Sequence, residues 1–136
     1  AGTGSETIAV LQYIRDLTGT VIVTMASKVA QATARRAATL CKDAGIPVLG
    51  VIENMSGYHC PSCGDTAAVL RSGAGEELAQ ELGVAFLGRI PLNQSVSAGS
   101  DDGLPLVAAH PDSEAAHAFY HVVDNLEYQV GARQKQ

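Results

Sequence analysis

The sequence predicts an α/β fold, a doubly wound parallel sheet with helices on both faces, and three observations lead there. Short β-branched runs alternate with helical patterns along the chain, the order that sets strands in parallel and lays helices over them. Aromatic residues make up 4% of the chain and tryptophan is absent, against an apolar fraction of 46%. The core must therefore be built from Ala, Val, Leu and Ile, which suits helices packed closely on a parallel sheet better than an antiparallel sandwich. At 136 residues the chain makes one domain, or part of one, with room for a real core.

The elements follow in order. Ala1–Glu6, AGTGSE, is a Gly-rich turn that opens onto a helical pattern over Ile8–Leu17. A domain rarely starts on such a turn without a strand before it, so the chain is expected to be cut from a larger α/β unit. Thr20–Thr24, TVIVT, reads as a short buried strand. Ser27 is placed to cap a helix that runs to about Ala44 and stops at Gly45. Ala30, Ala34, Ala37, Cys41 and Ala44 give that helix a face of small residues. Pro47–Ile52 is the next strand, followed by a cysteine-bearing loop. Ala74–Leu82 is a helix stopped by Gly83, and Val84–Leu92 is a strand closed by Pro91. Asn93–Pro105, rich in Ser, Gly and Asp, reads as irregular or as a short helix. The last helix spans Asp112 to about Leu126, and the polar end GARQKQ is expected to fray.

Nine Lys and Arg face fourteen Asp and Glu, a net charge of −5 with no basic run. That balance argues against a nucleic-acid surface. No apolar stretch approaches the ~20 residues that span a bilayer, and the N-terminus lacks the basic-then-apolar order of a signal peptide. Three cysteines, two of them in C-x-x-C, do not make a secreted disulfide framework. A reducing cytoplasm is the expected compartment.

Chemistry concentrates in Val51–Asp65, VIENMSGYHCPSCGD. A dithiol redox site wants its C-x-x-C at a helix start, where the dipole lowers a thiol pKa. Gly64-Asp65 directly after Cys63 breaks a helix instead. A zinc ribbon within one chain needs a second ligand pair. Cys41 sits on the apolar helix face as a structural thiol, and His59 reads as a loop residue. One chain thus offers two thiolates, Cys60 and Cys63, and two chains about a two-fold axis offer four. Four thiolates suit a [4Fe–4S] cluster or zinc. A second constellation, Glu114, His117, His121 and Asp124, lines one face of the last helix. With Phe119 and Leu126 opposite, it reads as a solvated polar face. Gly-rich turns before helices also collect phosphates, which makes Gly2, Thr3 and Gly4 candidate ligands; the plain alternative is a tight turn that binds nothing. Beyond the strand Pro47–Ile52 comes Asn54, whose amide carries both a donor and an acceptor and suits an adenine edge; the plain alternative is an amide bonded to its own turn. Glu53 is expected to face either a partner chain or solvent.

Three segments carry a resemblance: PVLGVIENMSGYHCPSCG, GAGEELAQELGVAFLGRIPLNQSV and GSDDGLP. They resemble the Mrp/ApbC-type P-loop ATPases of the MinD/nitrogenase-iron-protein class, which carry iron–sulfur clusters to apoproteins. The specific part is ENMSGYHCPSCG. The resemblance runs from Ala1 to about Leu126 and covers the second half of the family domain, leaving 127–136 as a polar tail. It implies a P-loop NTPase-like fold and a [4Fe–4S] cluster held by Cys60 and Cys63 across a dimer interface. It also implies adenine recognition by Asn54 and backbone contacts to the base at Pro91 and Leu92. The partners it implies are an identical chain or a paralogue, together with iron–sulfur apoproteins. AGTGSE is similar to the family's loop after the Mg-binding aspartate, with Ala1 at a usual proline and Ser5 at a usual aspartate. No G-x-x-x-x-G-K-[ST] occurs in the chain, so ATP and Mg binding and slow hydrolysis are implied only for a full-length protein. Two other readings remain open, a zinc-stapled dimerisation module and a nucleotide-binding fragment with idle cysteines.

Overall fold

The computed structural model describes residues 4–14, 16–59, 66–67 and 72–134. Helix α1 (Ser5–Tyr13) leads to strand β1 (Thr20–Met25), helix α2 (Lys28–Asp43) and strand β2 (Val48–His59). A two-residue strand β3 (Thr66–Ala67) precedes helix α3 (Ala74–Leu82) and strand β4 (Ala85–Leu92). Helices α4 (Gln94–Asp101), α5 (Leu106–Ala109) and α6 (Glu114–Arg133) complete the order. β2 is central, parallel to β1 on one side and to β4 on the other. β3 pairs antiparallel with Tyr58 and His59 of β2, while Tyr58 pairs with Leu92 of β4. β3 therefore takes the place beyond the end of β1.

Both faces of the sheet are covered, as a parallel sheet requires. α2 and α3 cover one face, where Ile22, Ala34, Ala37, Ala38, Val51, Leu78 and Ala79 form a buried cluster. The alanines at helical spacing let α2 approach the strands with no large side chain between, so few aromatics are needed. α6 covers the other face, packing Val122, Ala118, Phe119 and Leu126 against Leu87, Ile90, Val21 and Ile52. Gly88 in β4 has φ +145, and a Cβ there would meet Val122 Cγ2 at 2.8 Å. Only glycine allows α6 to sit so close to the strand. Ser27 caps α2 as expected, accepting from the Ala30 N–H at 3.1 Å, and Gly45 follows the helix at φ +72. Cys41 is buried on the inner side of α2.

Three boundaries differ from the sequence expectation. β2 continues to His59 instead of stopping at Ile52, because β3 and β4 extend its pairing past an irregularity between Asn54 and Tyr58. Met55 at φ 55 and Gly57 at φ 77 form that irregularity. α1 stops at Tyr13, short of Leu17. α6 runs to Arg133, beyond Leu126 and through the start of the polar end, with Arg133 complementing the dipole in its last turn. Among the described residues no helix is long and apolar enough to cross a membrane.

Candidate functional site

The carboxyl edge of the sheet is built where β2 leaves its parallel neighbours. Asn54 pairs in register with Met25, the last residue of β1, and with Ile90 of β4. It lies inside β2 and not in a loop beyond it, which corrects the sequence expectation; the strand reaches farther because its pairing does. Pro91 and Leu92, half-buried, end β4 on the adjacent strand, so the register brings them next to Asn54. The Asn54 Oδ1 accepts from the Met55 N–H at 2.9 Å, a bond within its own turn. Asn54 also lines a cavity of about 350 Å³ with Val23, Thr24, Met25, Ala30 and Thr33.

Glu53, one residue earlier, is fully buried. It therefore faces neither solvent nor a partner chain, as the sequence had suggested, but the start of α3. Its Oε1 accepts from Ser56 Oγ at 2.5 Å and from the Gly73 N–H at 3.1 Å. Its Oε2 accepts from the Gly75 N–H at 2.6 Å. Arg89 of β4 places Nε 3.6 Å from Oε1, bonds Glu76 of α3 at 2.6 Å and lies 4.9 Å from the centre of the Phe86 ring. Burial alone would push the Glu53 carboxyl up, but the Ser56, Gly75 and Gly73 hydrogen bonds and the Arg89 charge outweigh it. The net effect holds Glu53 below the usual carboxylate range.

The sequence around α3 explains this geometry. Gly73, the N-cap, has φ 95 and no side chain, so the helix start has no local cap. A Cβ at Gly75 would meet Glu53 Cβ at 2.8 Å, so only glycine admits the carboxylate this close. Two N–H groups at this helix start, those of Gly73 and Gly75, are thus satisfied by a residue from another element. Gln31 of α2 completes the arrangement, donating Nε2 to the Ala74 carbonyl at 2.7 Å. Sequence reading missed Glu53. The available signal was an acidic residue ending a buried strand, paired with a Gly-Ala-Gly helix start that lacks its own cap.

The remaining candidates divide plainly. Cys60, Cys63, Gly2 and Thr3 lie outside the described residues. Gly4 is the N-cap of α1, in extended backbone, and a Cβ on it would meet Glu6 Oε2 at 2.7 Å. Ser5 is the first residue of α1 and exposed. Glu114, His117, His121 and Asp124 are all exposed on α6. His121 lies 3.2 Å from the Asn125 amide, which donates to the Leu87 carbonyl.

Comparison with known proteins adds to this geometry. Residues 1–127 match the family described as ParA, NUBPL iron-transfer P-loop NTPase. The iron-sulfur cluster carrier protein of Methanocaldococcus jannaschii is 37% identical over 134 residues, covering 98% of this chain and 46% of that protein. The cytosolic Fe-S cluster assembly factor NBP35 of Eremothecium gossypii is 37% identical, covering 96% of this chain and 40% of that protein. A Trichoplax adhaerens homolog of the cytosolic Fe-S cluster assembly factor NUBP2 is 40% identical, covering 92% and 48%. In structure, the Archaeoglobus fulgidus nucleotide-binding protein in complex with ADP matches with a TM-score of 0.56 at 31% identity, covering 63% of this chain and 35% of that one. The cell division ATPase MinD of Pyrococcus furiosus, at 23% identity, shares the fold with a TM-score of 0.60 over 79% of this chain and 41% of its own. The chain spans about half the length of the curated relatives it matches. With a parallel sheet covered on both faces and a family match over nearly its whole length, the chain belongs to the ParA-type NUBPL iron-transfer P-loop NTPases.

Proposed function

We propose that this chain is the second half of an iron–sulfur cluster carrier that holds a [4Fe–4S] cluster as cargo between two chains, each giving Cys60 and Cys63. One observation carries the reading: the C-x-x-C pair follows β2 directly in a chain whose relatives are named iron–sulfur carriers and assembly factors. Soft thiolates suit such a cluster. Cys41, the remaining thiol, is packed into the face between α2 and the sheet, which supports drawing the other two ligands from a second chain. The partner chain is an identical copy or a paralogue, the recipients are iron–sulfur apoproteins, and the compartment is the cytoplasm.

The same edge suits a nucleotide in the full-length protein. Asn54 would read adenine, Pro91 and Leu92 would contact the base through their backbone, and Gly2, Thr3 and Gly4 would lie near phosphate. The register that sets Asn54 beside the end of β4 supports this placement. ATP and Mg binding, and slow hydrolysis, belong to a protein that also carries a phosphate-cradling loop.

Anaerobic reconstitution of the full-length protein with iron and sulfide tests the reading. The expected result is a brown species absorbing near ~400 nm with about four Fe per dimer, lost in Cys60→Ala. Colourless protein with about half a zinc per chain would make the pair a structural staple instead. Unchanged dimerisation in Cys63→Ala, with no metal bound, would leave the cysteines idle.

A further inference from the structure

β2 falls out of step with β4 immediately after Asn54. Asn54 pairs with Ile90 and Tyr58 with Leu92, so Met55, Ser56 and Gly57 stand against Pro91 alone. A bulge of this kind re-aims the side chain beside it. Pro91 suits the place opposite, having no N–H to offer the ladder. Met55 at φ 55 and Gly57 at φ 77 carry the backbone through the left-handed region, which a side chain such as that of Met55 rarely adopts. One bond braces the turn across its span: Ser56 Oγ donates to Glu53 Oε1 at 2.5 Å. Glu53 is itself fixed, fully buried and bonded to the Gly73 and Gly75 N–H groups. Inside the turn the Met55 N–H donates to Asn54 Oδ1 at 2.9 Å, which sets the orientation of the amide. That bond takes one of the two lone pairs on Oδ1. The other, with the Nδ2 group, is left for a ligand in the cavity that Asn54 lines.

We propose that Ser56, anchored on Glu53, is a positioning residue for base recognition, holding the bulge that aims the Asn54 amide. The proposal rests on the nucleotide reading above. A strained turn persists only where its surroundings over-determine it, and the buried carboxylate supplies that hold. Without the Ser56 hydroxyl the turn relaxes, and the amide no longer presents its donor and acceptor in one fixed order. Adenine and hypoxanthine differ in their exocyclic group, an amine that donates in one and an oxygen that accepts in the other. A fixed amide separates the two bases, whereas a loose one turns over to suit either.

The test uses the full-length protein with ADP and IDP as probes and reads the ratio of their dissociation constants. General loss of stability weakens both nucleotides alike and leaves the ratio unchanged. Val122→Ala, on the opposite face of the sheet, is the control for it. The wild type is expected to prefer ADP about tenfold, and Asn54→Ala to lose the preference. Ser56→Ala is expected to lower it about threefold, and Ser56→Thr, which keeps the hydroxyl, to restore it. Hydrogen exchange at the Gly73 and Gly75 amides is expected to stay at the wild-type rate in Ser56→Ala, because the α3 start keeps its own bonds to Glu53. An undiminished ratio in Ser56→Ala, with Asn54→Ala still collapsing it, overturns the proposal and leaves the nucleotide reading standing. A loss that Ser56→Thr does not restore, that Val122→Ala matches, or that comes with faster exchange at Gly73 and Gly75 also overturns it. The effect then belongs to packing or to α3. Wild-type protein with no preference, or Asn54→Ala that keeps it, defeats the reading by Asn54 and the proposal with it.

Discussion

Two helix starts in this molecule solve the same problem differently. α2 is capped by its own Ser27, whose hydroxyl accepts from Ala30 three residues along. α3 begins at a glycine without a side chain and is capped by Glu53, twenty or more positions upstream. A local cap stabilises its helix and nothing else. A cap from another element ties the helix to the strand that supplies it. The difference teaches that a Gly-rich helix start can mark a tertiary contact as well as a weak terminus.

Breaking the α3 cap should have the largest effect. Glu53→Ala leaves the Gly73 and Gly75 N–H groups without their acceptor and removes the charge beside Arg89, and should cost about 3 kcal/mol in urea denaturation. Part of that contribution depends on pH. The Glu53 carboxyl is held below its ordinary range when folded, so its stabilisation is complete above that range and is lost as pH falls through the folded value. Urea midpoints of the wild type should therefore decline in acid more steeply than those of Glu53→Gln; parallel curves would show that Glu53 is not the group responsible. Gly75→Ala should cost about 2 kcal/mol by overpacking against Glu53 and Phe86, read from the same denaturation curves. Ser27→Ala should cost about 1 kcal/mol and, unlike the other two, leave exchange at Gly73 and Gly75 untouched.

The same contrast explains how much was legible in the sequence. β1, α2, α3 and β4 could be read nearly to the residue, because each is announced locally by β-branched runs, a Ser cap or a Gly stop. Ala34, Ala37 and Cys41 were legible as a buried face from their spacing alone, whereas Ala44, read onto the same face, is exposed at the helix end. The length of β2 was not, since its last residues become strand only by pairing with β3 and Leu92. Asn54 was thereby set one element too late. Glu53 was misjudged for a related reason: its burial depends on two glycines and an arginine from other elements, and no local pattern encodes that meeting. The continuation of α6 to Arg133 had a local signal in its helix-forming residues, and the polarity of the final stretch obscured it.

The burial of Cys41 has a practical consequence. At 3% exposure, on the wall of a cavity it shares with Val10, Leu11 and Val21, its thiol meets a reagent in solution only when the packing around it opens. Its rate of alkylation is therefore a stopwatch for the opening of that packing. In any experiment that counts thiols on this protein, slow labelling of Cys41 would time that opening and say nothing of cluster chemistry.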